Sequence, residues 1–86
     1  AAVESRHYFV LGEQAYVEGD VPSAILHFRR SAQWYAPLIA SPRRAIERLV
    51  AIGDEAGEGG DSAEALVAYR AARAAIMATL ALGPAK

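Results

Sequence analysis

Apolar residues along this chain recur at steps of three and four, the period of a helix with one buried face. The first run predicts a helix from about Ser5 to Glu18, with Tyr8, Leu11, Ala15 and Tyr16 on its apolar side. Gly19 ends it, because glycine tolerates the left-handed conformation of a helix C-terminus. Asp20 then caps a second helix, with Pro22 in a first turn that needs no backbone donor there. Ile25, Phe28 and Ala32 share one face of it, and it stops near Ala36, since Pro37 disfavours helix at the residue before it. After an apolar connection, Ser41 is placed to cap a third helix, with Pro42 at its first helical position. That helix carries Ile46, Leu49, Val50 and Ile52 and ends at Gly59-Gly60. Asp61 and Glu64 make the acidic form of a capping box for a fourth, Ser62 to Leu82, expected to bury Leu66, Tyr69, Ile76 and Leu80. Gly83-Pro84 closes it, and no stretch alternates with period two. The expected fold is all-α: one domain over residues 1–86, with a first antiparallel helical hairpin at about 5–36, a linker at 37–41 and a second hairpin at about 42–82.

The two hairpins match at an offset of 41 residues. Leu11-Gly12 aligns with Ile52-Gly53, Glu13 with Asp54, Ala15 with Ala56, and Gly19-Asp20 with Gly60-Asp61. Ala24-Ile25 aligns with Ala65-Leu66, and Phe28-Arg29 with Tyr69-Arg70. The matches fall on packing glycines, turn glycines and caps, where residue type matters most.

These residues resemble the tetratricopeptide repeats, whose pattern sets an aromatic, Leu-Gly, Tyr, Ala, Phe and a later Pro at fixed spacings. The first half offers Tyr8, Leu11-Gly12, Ala15-Tyr16, Ala24, Phe28 and Pro37; the second offers Leu49, Ile52-Gly53, Ala56, Ala65 and Tyr69. The family repeat is about 34 residues, so the seven extra residues here fall around Trp34 to Ser41, between the hairpins. The resemblance implies a non-enzymatic protein-interaction module that binds a partner segment in a groove lined by the first helix of each hairpin. Carried onto this chain, the groove positions are Arg6, Phe9, Glu13, Tyr16 and Val17 on one hairpin and Glu47, Val50, Asp54 and Glu58 on the other. The chaperone-binding members hold a carboxylate with Lys, Arg and Asn; only Arg6 is of that type here, so a basic and apolar segment is the expected partner.

Composition narrows the function without naming a partner. Nine basic against ten acidic residues argue against a general nucleic-acid binder. There is no Cys, and the sequence holds no membrane-spanning apolar run. Of the apolar residues 20 are alanine, which leaves one thin core in a chain of 86 residues.

A search for chemistry returns bland readings. His7 and His27 lie on different helices without a metal-ligand spacing, so both read as surface histidines, and no metal or cofactor is expected. Ser5 and His7 are two apart and face different ways, Ser31 stands where the family prefers alanine, and Ser41 reads as a cap; no catalytic set emerges. Asp54, Glu55 and Glu58 read as a frayed, solvated helix end. Gly57, Gly59 and Gly60 lack the strand and the Lys of a phosphate loop. Arg29-Arg30, Arg43-Arg44, Arg48, Arg70 and Arg73 read as a solvated face, with Arg43, Arg44 and Arg48 as a candidate anion patch. Trp34 and Tyr35 are expected to pack under the connection against Leu38 and Ile39; exposed, they would be a binding anchor.

Two repeats are few for a stacked array, which normally needs further units or polar caps. A stripe of Val67, Ala71, Ala74, Ala78 and Ala81 on the fourth helix is expected to form a homodimer contact or to dock on neighbouring chain. The alternative reading is a structural or oligomerising domain cut from a larger, membrane-anchored bacterial protein. Eight Arg against one Lys and the abundant Ala suggest a high-GC source, and Ala1-Ala2 could follow an anchor.

Overall fold

The computed structural model describes residues 2–33 and 40–82, with side chains described for residues 3–33 and 41–78. Four helices follow in order: α1 Ala2–Val17, α2 Val21–Ala32, α3 Ala40–Glu58 and α4 Ser62–Leu82. They form two antiparallel hairpins, α1 on α2 and α3 on α4, joined mainly where α2 packs against α3. Among the described residues there is no strand.

The two hairpin turns are built alike because the same residue types recur. Gly19 and Gly60 take φ of 84° and 88°, the left-handed region that glycine enters at no steric cost. Asp20 donates its N–H to the Ala15 carbonyl, as Asp61 does to Ala56, closing the helix ends with a six-residue return. Each aspartate then caps the next helix: Asp20 Oδ1 accepts from Ser23 N at 3.3 Å, and Asp61 Oδ1 from Glu64 N at 3.0 Å. α3 begins at Ala40, one residue before the expected cap, so Ser41 and Pro42 lie inside its first turn. Pro42 is fully buried there, at a position where its missing donor costs nothing. Trp34, Tyr35, Leu38 and Ile39 lie outside the described residues.

Each hairpin closes on a glycine. A Cβ at Gly12 would meet Phe28 Cδ1 at 2.7 Å, and one at Gly53 would meet Tyr69 Cε1 at 2.5 Å. An aromatic ring on the second helix therefore occupies the space that a side chain on the first would take. Hairpin one adds a buried polar clasp. Ser31 Oγ donates to the Ser5 carbonyl at 2.7 Å, and Ser5 Oγ to the Ser31 carbonyl at 3.1 Å. Both hydroxyls are thereby satisfied, as burial at this depth requires.

α4 overturns the expected burial. Leu66, Tyr69 and Ile76 are 50, 40 and 43 % exposed, and Leu80 lies outside the described side chains. The buried face is alanine instead: Ala65, Ala68, Ala71, Ala72 and Ala75. Side chains of one methyl let α4 approach α3 and α2 closely, and the larger residues then have room only outside. Ala71 of the expected dimer stripe is accordingly core, while Val67, Ala74 and Ala78 are exposed and the Ala81 side chain is not described. Val50 on α3 is likewise exposed rather than core, at 37 %. On α1 Ala15 is buried as expected, but the rest of the buried face is Ser5, Phe9 and Gly12; the expected Tyr8 and Leu11 are half-buried and Tyr16 is 39 % exposed.

Candidate functional site

A depression lies between α1 and α3. Its volume is about 350 Å³, within the range of small-ligand and peptide side-chain sites. Glu13, Tyr16 and Val17 come from α1, Arg48, Ala51, Ile52 and Glu55 from α3, and Phe28 of α2 forms the floor. The residues arrive there for simple reasons. On α3 Arg48, Ala51, Ile52 and Glu55 follow at steps of three and four, so they share one side of the helix. Phe28 comes close beneath them because Gly12 has no side chain to hold its ring off.

Two polar ties cross this groove from helix to helix. Arg48 Nη2 and Nε both reach Glu13 Oε2 at 2.6 Å. The Tyr16 hydroxyl donates to Glu55 Oε1. That hydrogen bond to a carboxylate raises the Tyr16 hydroxyl above its ordinary pKa, with some desolvation added. The groove is thus apolar at its floor and acidic on both walls, with one guanidinium already seated on the acid of α1.

Of the residues expected to line a groove, Glu13, Tyr16 and Val17 do so. Phe9 does not: it is 8 % exposed and packs on Phe28 with ring centroids 5.5 Å apart, beneath the Arg44 guanidinium at 5.2 Å. Arg6 is exposed elsewhere on α1. Glu47, Val50, Asp54 and Glu58 are exposed and do not line it: the first three each precede a lining residue, Arg48, Ala51 or Glu55, by one position, about 100° of helix turn, and Glu58 lies a turn beyond Glu55 at the end of the helix. Asp54 instead accepts the Tyr69 hydroxyl at 2.5 Å, which raises that hydroxyl's pKa. Two of the three acids expected at a frayed end are therefore tyrosine acceptors, and the helix runs on to Glu58. Arg48, Ala51 and Glu55 were missed as lining. The sequence signal was the opposite charge of Glu13 and Arg48, which only a packing of α1 on α3 brings together.

The arginine patch is divided by the same packing: Arg48 serves Glu13, Arg44 lies on Phe9, and Arg43 is exposed. His7 and His27 both flank Tyr8, His27 stacked at 6.4 Å and His7 edge-on at 5.4 Å, with Arg30 over the same ring at 5.8 Å. Among the described residues no group of His, Asp or Glu could hold a metal ion, and no helix is long and apolar enough to cross a membrane. No family model, curated protein or solved structure matches the chain.

Proposed function

We propose that this chain is a non-enzymatic protein-interaction module of the tetratricopeptide kind, which holds a basic and apolar partner segment in the groove between α1 and α3. The observation that carries this reading is the lining itself. Phe28, Ile52 and Ala51 give an apolar floor, Glu13 and Glu55 give carboxylate walls, and Arg48 already rests on Glu13 as a partner's guanidinium would. A guanidinium–carboxylate contact is a charge-assisted hydrogen bond, and apolar residues beside it would supply the area term.

The test is fluorescence anisotropy with labelled peptides of one apolar pattern, carrying either Lys/Arg or Asp/Glu at the polar positions. The basic set is expected to bind, more weakly as salt rises, and Glu13→Gln to weaken it. Binding of the acidic set with no binding of the basic one overturns the reading.

A further inference from the structure

A step of 41 residues carries hairpin one onto hairpin two, and it carries the surface that hairpin two covers onto the outer surface of the molecule. On hairpin one that surface includes Phe9, Ile25, Phe28 and Ala32, at 8, 6, 1 and 2 % exposure. Their counterparts are Val50, Leu66 and Tyr69, at 37, 50 and 40 %, and Arg73, also exposed. Ile76 and Met77, at 43 and 55 %, extend the surface along α4. The interface inside the chain thus has a second edition on its outside, apolar in the same places except one.

The exception selects the occupant. Where hairpin one has Ala32, the outer surface has Arg73, with no ion-pair partner among the described residues. Another hairpin of the same kind would press alanines on that guanidinium and leave it unpaired, which is costly. The occupant must bring carboxylates to α4. The chain itself carries them on α3: Glu47, Asp54 and Glu58 fall on one line of that helix, at steps of seven and four. The surface is therefore acidic along α3, basic along α4 at Arg70 and Arg73, and apolar between.

Such a pattern is complementary to its own rotated image. A two-fold axis along the hairpin lays α4 of one copy on α3 of the other and sets the arginines against the acids. Head-to-tail addition lacks this match. The opposite end of the molecule presents Tyr8, His27 and Arg30, clustered on one another, where hairpin two seats itself with Leu49, Ala68 and Ala71. We propose that the outer surface of α3 and α4 binds a second copy of this chain in an isologous contact, closed at two.

Sedimentation equilibrium of the full chain across concentration tests this. The mass is expected to rise from 9.1 kDa to twice that value and stop. Arg73→Glu should raise the dissociation constant roughly tenfold or more, since it sets like charges against each other. Arg73 is exposed, so helical circular dichroism should be unchanged. The double variant Arg73→Glu/Glu47→Arg should recover the dimer, which a loss through misfolding would not. A mass of 9.1 kDa up to about 500 μM (a contact too weak to matter at ordinary protein concentrations) overturns the proposal. So does a mass that keeps growing, an Arg73→Glu variant that associates as the parent does, or a double variant that fails to recover.

Discussion

Gly12 and Gly53 occupy the same place in the two hairpins, yet they should not tolerate substitution equally. In a helix Gly→Ala gains about 0.5–1 kcal/mol from propensity. Against that stands the ring each Cβ would strike. Phe28 is 1 % exposed, packed between the hairpins, so Gly12→Ala forces overpacking worth about 1–3 kcal/mol and should be net destabilising. Tyr69 is 40 % exposed and can swing outward, so Gly53→Ala should be nearly neutral. Urea denaturation of the two variants gives the order directly. The glycines themselves were legible as packing residues from their spacing; how freely each ring could yield was not, because that depends on what hairpin two covers. Tyr69 also makes a pH prediction. Its pKa is raised by the bond to Asp54, so the fold favours the protonated hydroxyl. The stabilisation is complete below the unfolded tyrosine value near 10 and is lost as pH rises through the raised folded value. Phenolate absorbance, taken as the difference between the parent and Tyr69→Phe, should show a late-titrating tyrosine. In Asp54→Asn that titration should move back toward the ordinary value.

The helix ends at the two hairpin turns were legible to about a residue, because Gly19, Gly60, Asp20 and Asp61 mark them with side-chain and backbone chemistry that acts locally, whereas α1 starts at Ala2 rather than Ser5 and α2 ends at Ala32 rather than near Ala36. Faces were read less well. A pattern rule sends Leu66, Tyr69 and Ile76 inward, but the contact of α4 with α3 and α2 is set by how closely backbones can approach, and there alanine wins. One pair of identical substitutions distinguishes the two views. Ala68 is 0 % exposed, so Ala68→Leu must force the helices apart and should cost about 1–3 kcal/mol. Ala74 is exposed on the same helix, so Ala74→Leu should change stability by less than about 0.5 kcal/mol. Thermal unfolding at low protein concentration measures both without contribution from association.

At the scale of the molecule, the groove was half legible. Glu13, Tyr16 and Val17 on α1 were identified from the repeat, whereas the α3 wall was placed a residue or so away, at Glu47, Val50, Asp54 and Glu58. A repeat pattern names the helices that face a groove; the rotation of each helix about its axis is decided by packing, and a small error in register moves a side chain around the barrel of the helix. The same packing makes the two hairpins one cooperative unit. Ile52 is 3 % exposed and, like Phe28, lies where the hairpins meet over the groove floor. Ile52→Ala should cost about 2–4 kcal/mol and lower the stability of both hairpins together. Coincident far-ultraviolet and tyrosine fluorescence transitions would show this; separate transitions would mean that the hairpins unfold independently.

The two ties across the groove carry a consequence for kinetics. Arg48 on Glu13 and the Tyr16 hydroxyl on Glu55 each join α1 to α3 over the floor that an entering segment must reach. Release of these ties is a unimolecular event, whatever the ligand concentration. Stopped-flow association with a basic peptide should therefore show an observed rate that climbs with peptide and then levels off at a ceiling set by the opening step. Tyr16→Phe removes one tie and keeps the ring, so it should lift that ceiling while leaving the apolar floor intact. A rate that rises linearly without limit in the parent would show that the ties open faster than any partner arrives.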